Sequence, residues 1–148
     1  MSNFAPMTLA LQEAKQAALR DEVPVGAVMV YQGEIIARAG NRVEEDKDVS
    51  SHAEILAIKQ AAQKLGDVRL PECDLYVTLE PCPMCATAIS FARIRRVYFG
   101  AYDPKGGGVD HGPRIFNHST CHHRPEVFGG IMEEEAATVL KEFFENRR

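Results

Sequence analysis

Two short stretches of this chain hold residue types that do chemistry together. His52-Ala53-Glu54 puts an imidazole two residues before a carboxylate, and Pro81-Cys82-Pro83-Met84-Cys85 puts two thiols at C-x-x-C spacing. Where such a pair opens a helix, its sulfurs lie one turn apart and can close on a single ion. His52, Cys82 and Cys85 are therefore expected to hold one Zn²⁺. The positive end of the helix and the metal itself favour the thiolates. Three protein ligands leave one tetrahedral position for water, whose pKa a catalytic zinc lowers to about 7. Glu54, near the metal without binding it, is the expected general base. Two other readings stand beside this one. A closed zinc site needs a fourth ligand, from Cys73, Cys121, His122 or His123, and a redox C-x-x-C leaves His52 and Glu54 without a role. The pairing with H-x-E and the proline before Cys82 favour the catalytic arrangement.

The elements that must position these groups follow from periodicity. Met7, Leu11, Ala14 and Ala18 recur at helical spacing and predict a helix over about residues 6–20. Val25 to Tyr31 reads as a buried strand, and Glu34 to Ala39 returns across Gln32-Gly33 as the second arm of a hairpin. The charged run Glu44 to Asp48 predicts a solvated loop. Ser50 or Ser51 then caps a helix whose inward face is Ile55, Ile58, Ala62 and Leu65, and which Gly66 ends. His52 and Glu54 fall in its first turn. Asp74 to Leu79 predicts a central strand running into the Pro81-Cys82 corner, where open α/β sheets usually present their catalytic groups. Met84 to Ala92 is nearly all apolar or small, as in a helix buried on most sides. Arg96 to Tyr102 predicts a strand with Val97, Phe99 and Ala101 on one face. Asp103 to Pro125 is broken by prolines and glycines, and a loop that long is either functional or disordered. Glu126 to Ile131 predicts a last short strand, and Ala136, Val139, Leu140, Phe143 and Phe144 line a C-terminal helix. The sum is one domain over residues 1–148, of α/β class: three layers, α/β/α, around a mixed five-stranded sheet with helices on both faces.

Length and composition agree. A chain of 148 residues with 45% hydrophobic and 26% charged residues can build a core without staples. No apolar run approaches the roughly 18 residues that span a membrane, and no secretory leader is visible, so a cytoplasmic protein is expected. Four cysteines, two in a metal-like pair, suit a reducing compartment. A net charge of −4 excludes a protein coated in phosphate-binding residues but not a local basic patch. Arg93, Arg95 and Arg96 form one cationic cluster, read most simply as complementing a helix end.

With these motifs in place, the chain resembles the cytidine deaminase superfamily, and within it the bacterial tRNA-specific adenosine deaminases. The resemblance runs from about Met7 to Arg148. It is most specific in Glu22 to Ala27, Gly40-Asn41-Arg42, His52-Ala53-Glu54, Leu75 to Cys85, Arg93-Ile94 and Asp103 to Gly107. It implies zinc on His52, Cys82 and Cys85, one ion per subunit, and Glu54 as proton carrier in the hydrolysis of adenosine to inosine at the wobble position of a tRNA. It also implies that Asn41 and backbone groups near Ala53 seat the base. Asp103, Lys105, Phe144 and Arg148 resemble positions that meet the anticodon loop, and the resemblance further implies a backbone contact at Arg69 and a homodimer. Taken alone, Asn41 is a turn residue, and Phe143 and Phe144 are core residues of which at most one is free for RNA. The stretch Gly108 to Phe116 departs from the Ser-Leu-Met-like sequence common in such enzymes, and Cys121-His122-His123-Arg124 replaces a more usual Asn-His-Arg. A deaminase of free bases or nucleosides on the same fold, and a non-catalytic zinc-stabilised module, are the alternatives.

Overall fold

The computed structural model describes residues 4–147. Its elements are α1 (Phe4–Leu19), β1 (Gly26–Tyr31), β2 (Glu34–Gly40), α2 (Val43–Asp46), α3 (Ala53–Leu65), β3 (Cys73–Leu79), α4 (Pro83–Phe91), β4 (Arg96–Ala101), β5 (Glu126–Phe128) and α5 (Glu133–Glu145), with a short 3₁₀ turn at Ile115–Asn117. The five strands form one sheet in the order β2-β1-β3-β4-β5. β1 pairs antiparallel with β2 and β3, and β3, β4 and β5 run parallel. The expected three-layer α/β/α architecture is what forms. Ala27, Met29, Leu75, Val77, Val97 and Phe99 pack toward α3 and α4, and Val28, Val30, Tyr76 and Tyr98 pack toward α1 and α5.

This mixed polarity decides where chemistry can sit. The end of β2, the start of β1 and the ends of β3 and β4 all reach the same edge of the sheet. The loops leaving those strands therefore meet, and the N-termini of α3 and α4 meet with them.

Several local expectations change. Glu44 to Asp46 belong to α2, because the buried carboxylate of Glu22 accepts the backbone N–H groups of Glu44 and Glu45 at 3.2 and 2.9 Å and so caps the turn. The N-cap of α3 is His52, not Ser50 or Ser51; Ser51 is buried and bonds Asp46 instead. The inward face of α3 is Ala53, Glu54, Ala57 and Ala61, while Ile55, Ile58, Ala62 and Leu65 are only half-buried. Small residues let the helix lie close on the sheet, so the larger side chains splay to its flanks. Helix α4 is not buried on most sides: Cys85, Ala86, Ile89 and Ser90 face inward, but Phe91 is 73% exposed and Met84 is exposed beside it. Ala101 joins the α1/α5 layer and not that of Val97 and Phe99. Arg95 and Arg96 serve strands, not a helix end: Arg95 clasps Asp74 with two bonds of 3.0 Å, and Arg96 pairs with Glu126 across β4 and β5. The predicted strand Glu126 to Ile131 stops at Phe128.

Candidate active site

The two helices that begin at the shared edge carry the chemical residues at their first turns. His52 is the N-cap of α3 and Cys82 the N-cap of α4, with Pro83 opening the latter, where a missing N–H costs nothing. His52, Cys82 and Cys85 place their ligand atoms within 4.8 Å of one another. His52 Nδ1 lies 3.6 Å from Cys82 Sγ and 3.5 Å from Cys85 Sγ. A tetrahedron with metal–sulfur bonds of about 2.3 Å and metal–nitrogen bonds of about 2.05 Å has N–S edges of about 3.6 Å. The donor set and its spacing thus fit a divalent metal of the zinc type.

No fourth protein ligand joins them among the described residues. Cys73 is buried at the start of β3, at the opposite end of that strand. Cys121 Sγ donates to the His123 carbonyl and approaches Ser90 Oγ, and His123 Nε2 donates to the Ile94 carbonyl at 2.6 Å. The closed-site reading is therefore not formed among the described residues.

Electrostatics set the three clustered donors and Glu54 apart. A hydrogen bond from the Cys85 thiol, helped by His52, holds Cys82 down to about 4 against its burial. The same contact, with burial, pushes Cys85 far up, and contact with Cys82 raises His52. Between them the three groups share protons that a divalent cation would displace. Glu54, 4% exposed, follows on the next residue but one in α3. Burial pushes its carboxyl up to about 7, against the pull of its own backbone N–H and of His52. A carboxyl poised there can both take and give a proton near neutral pH.

This cluster floors a cavity of about 600 Å³, whose walls include Val25, Asn41, Leu79, Glu80, Asp103 and Phe143. Asn41 is buried, and its Oδ1 accepts the Ala53 N–H at 2.8 Å. That bond caps the first residue of α3, and it leaves the amide NH₂ of Asn41 as the group available to a guest.

The whole chain, residues 1–148, matches the MafB19-like deaminase family. It belongs to that family. A tRNA-specific adenosine deaminase of Agrobacterium fabrum is 59% identical over 96% of this chain and 93% of its own length. A structure solved in studies of A-to-I editing by tRNA:A34 deaminases superposes with a TM-score of 0.91 at 60% identity, covering 92% of this chain and 99% of that one. A guanine deaminase of Bacillus subtilis is more distant, with 38% identity and a TM-score of 0.66 over 69% of this chain and 66% of that one.

Other residues singled out in this deaminase are more scattered. Asp103 lines the cavity, and its Oδ1 accepts the N–H groups of Lys105 and Gly106, closing a tight turn that leaves Lys105 exposed. Phe143 is buried under a 3.7 Å cation–π contact with Arg147, whereas Phe144 is 50% exposed. Arg69 is not brought to the site within this chain: it sits before β3 in a separate hollow with Tyr31 and Leu70. Arg148 lies outside the described residues. Sequence reasoning missed Glu22, Glu80, Asp21 and Arg147. All four line the cavity, and Arg147 pairs with Asp21 at its rim.

Proposed function

We propose that this protein hydrolytically deaminates adenosine to inosine at the wobble position of a tRNA, with one zinc ion held by His52, Cys82 and Cys85. The observation that carries the reading is an incomplete ligand set, two sulfurs and one imidazole nitrogen at tetrahedral spacing, beside a buried carboxyl poised near 7 on the wall of a cavity of about 600 Å³. The substrate assignment rests on near-complete alignment with relatives named for tRNA adenosine deamination.

Zinc, when bound, supplies a Lewis acid that activates water and stabilises a developing oxyanion. Glu54 accepts the proton of the attacking water as oxygen adds to C6 of the purine, and delivers it to N1. The carboxyl then takes the remaining proton of the added oxygen and passes it to the amine; the C6–N bond breaks, ammonia leaves and the C6 carbonyl forms. Adenosine and water thus become inosine and ammonia with no other reactant. Asn41, fixed by its bond to Ala53, turns its NH₂ to an acceptor on the base, so Ala53 serves the seat as the anchor of Asn41. Because C6 lies in the plane of a stacked base, the nucleotide must be splayed out into the cavity, which a single-stranded loop permits at small cost.

Asp103 on the cavity wall, the exposed Lys105 two residues on and the half-exposed Phe144 next to the buried Phe143 are the candidate contacts to the anticodon loop, with Arg148 outside the described residues. Arg69 fits this role only through another subunit or a distant part of the tRNA. In the proposed homodimer, the exposed side of α4, with Met84 and Phe91, is apolar surface to be covered. Activity is assigned to the cytoplasm, where the free thiols of all four cysteines remain reduced. Among the described residues no helix is long and apolar enough to cross a membrane.

The deciding experiment incubates the zinc-loaded protein with an in vitro transcribed tRNA bearing adenosine at the wobble position, beside guanine, cytosine, cytidine and adenosine. Inosine in the tRNA alone supports the proposal. Turnover of guanine without tRNA editing supports the guanine deaminase reading, which the partial 38% match favours as the second choice.

A further inference from the structure

Glu80 is placed between the last residue of β3 and the proline that opens the ligand turn, and it is 2% exposed. A carboxylate in that setting must find donors or lose its charge. It finds them in a segment 23 to 31 residues further on. Oε1 accepts the Asp103 N–H at 3.1 Å, and Oε2 accepts those of Val109, Asp110 and His111 at 3.2, 3.0 and 3.1 Å. His111 adds a side-chain bond, Nδ1 to Oε1 at 2.8 Å, with Tyr102 packed edge-on against its ring.

The segment closes around this carboxylate with no room to spare. A Cβ on Gly107 would stand 2.3 Å from Glu80 Oε2, and one on Gly108 would stand 2.5 Å from the Pro83 nitrogen. The Gly108 N–H also donates to the Pro81 carbonyl at 2.8 Å. One wall of the cavity, with Asp103 at its start and Lys105 in its turn, is thereby bolted to the chain two residues before a metal ligand.

We infer that Glu80 and His111 form a clamp that sets the position of the 103–111 segment, whose Asp103 and Gly106 line the cavity, and that this clamp is a positioning device for substrate engagement which touches no reacting atom. His111 stands in the stretch that departs from the usual Ser-Leu-Met-like pattern, so this chain supplies the outer jaw of the clamp from its own divergent loop. The inference rests on the proposed tRNA reading only for the identity of the substrate whose engagement is measured.

The test uses the full-length, zinc-loaded protein and three variants: His111→Leu, His111→Asn and Glu80→Gln. Asparagine places an N–H donor where Nδ1 of histidine stood, whereas leucine fills the volume without one. With the tRNA substrate, His111→Leu is expected to raise KM about tenfold and change kcat less than threefold, at unchanged zinc stoichiometry. His111→Asn is expected to bring KM back to within about threefold of the parent. Glu80→Gln is expected to lower kcat/KM more than either, because an amide nitrogen then faces backbone N–H groups. Hydrogen exchange at the amides of Asp103, Val109, Asp110 and His111 gives a readout that needs no substrate: about tenfold or more faster in His111→Leu and Glu80→Gln, near parental in His111→Asn. Equal KM values for the leucine and asparagine variants, or unchanged exchange at all four amides in His111→Leu, would overturn the clamp. If the parent protein edits no tRNA but deaminates guanine, the functional reading fails while the exchange result still decides the clamp.

Discussion

Of the three buried glutamates on the cavity, Glu22, Glu54 and Glu80, the last two have been given opposite chemistry by their surroundings. Glu54, in the first turn of α3, is pushed up to about 7 because burial outweighs the help of its own N–H and of His52. Glu80, after β3, is as buried, yet four backbone N–H groups and His111 together outweigh that burial and hold its carboxyl below the ordinary value. Burial alone therefore does not make a proton carrier. The count of donors aimed at the carboxylate does, and a side chain saturated with donors is an anchor while one left nearly bare can exchange protons.

The contrast is most sharply broken at Glu54. Glu54→Gln is expected to cut turnover at least about 10³-fold, within the range of lost general acid–base catalysis, while zinc remains at one per chain. Persistent ammonia release from that variant would show that another group moves the proton. Asn41→Ala, which removes both the cap on Ala53 and the amide facing the guest, should lower kcat/KM about 10- to 100-fold, as expected for losing a buried hydrogen bond in a preorganised seat. Urea unfolding of Glu80→Gln should show a loss of about 2–4 kcal/mol, because removing a carboxylate oxygen strands buried donors. A loss below about 0.5 kcal/mol would mean that the two glutamates are not the opposites described.

The sign of the pH dependence separates them further. Glu54 has a raised folded pKa, so in chelator-treated protein the stability it permits is complete below pH 4.5 and falls as pH rises through about 7. Relative to Glu54→Gln, the parent should lose about 3 kcal/mol between pH 4 and 8. Glu80 has a lowered folded pKa, so its contribution is present above pH 4.5 and lost as the pH falls through the folded value. Thermal melts of both variants across pH 3–8 would reverse the comparison if the two slopes had the same sign. The smallest effect is expected at Lys105→Ala, a few-fold weaker tRNA binding with the salt slope of log K reduced by about 1, since it removes one exposed cation and nothing of the buried machinery.

What the sequence revealed and concealed follows the same division. The convergence of His52, Cys82 and Cys85, with Glu54 two residues after His52, was legible because it is written in local spacing, two and three residues, at helix starts. The sheet was legible because β1, β3 and β4 are apolar runs ended by glycine, proline or charge. Glu80 was not, because one glutamate at a strand end looks like any solvated carboxylate, and its donors come from a distant segment with no periodicity. Helix α2 was hidden for the same reason: its cap is Glu22, some twenty residues upstream. The seating of α3 on alanines was misjudged because a helical stripe of larger residues outweighs small ones in any hydrophobicity pattern, whereas close contact with a sheet favours the small ones. Arg69 was picked out with the family resemblance, but it stands before the start of β3, at the end of that strand away from Cys82 and Cys85.

The gathering of four strand ends at one rim of the sheet has a consequence for how such an enzyme can diversify. His52, Glu54, Cys82 and Cys85 ride on the first turns of α3 and α4, which rest on the sheet, while most of the enclosing surface comes from other connections. Residues in those connections can be exchanged to admit a different nucleobase or a different RNA shape while the hydrolytic centre stays where it is, so changes of substrate range in this lineage should map to the rim and spare the floor.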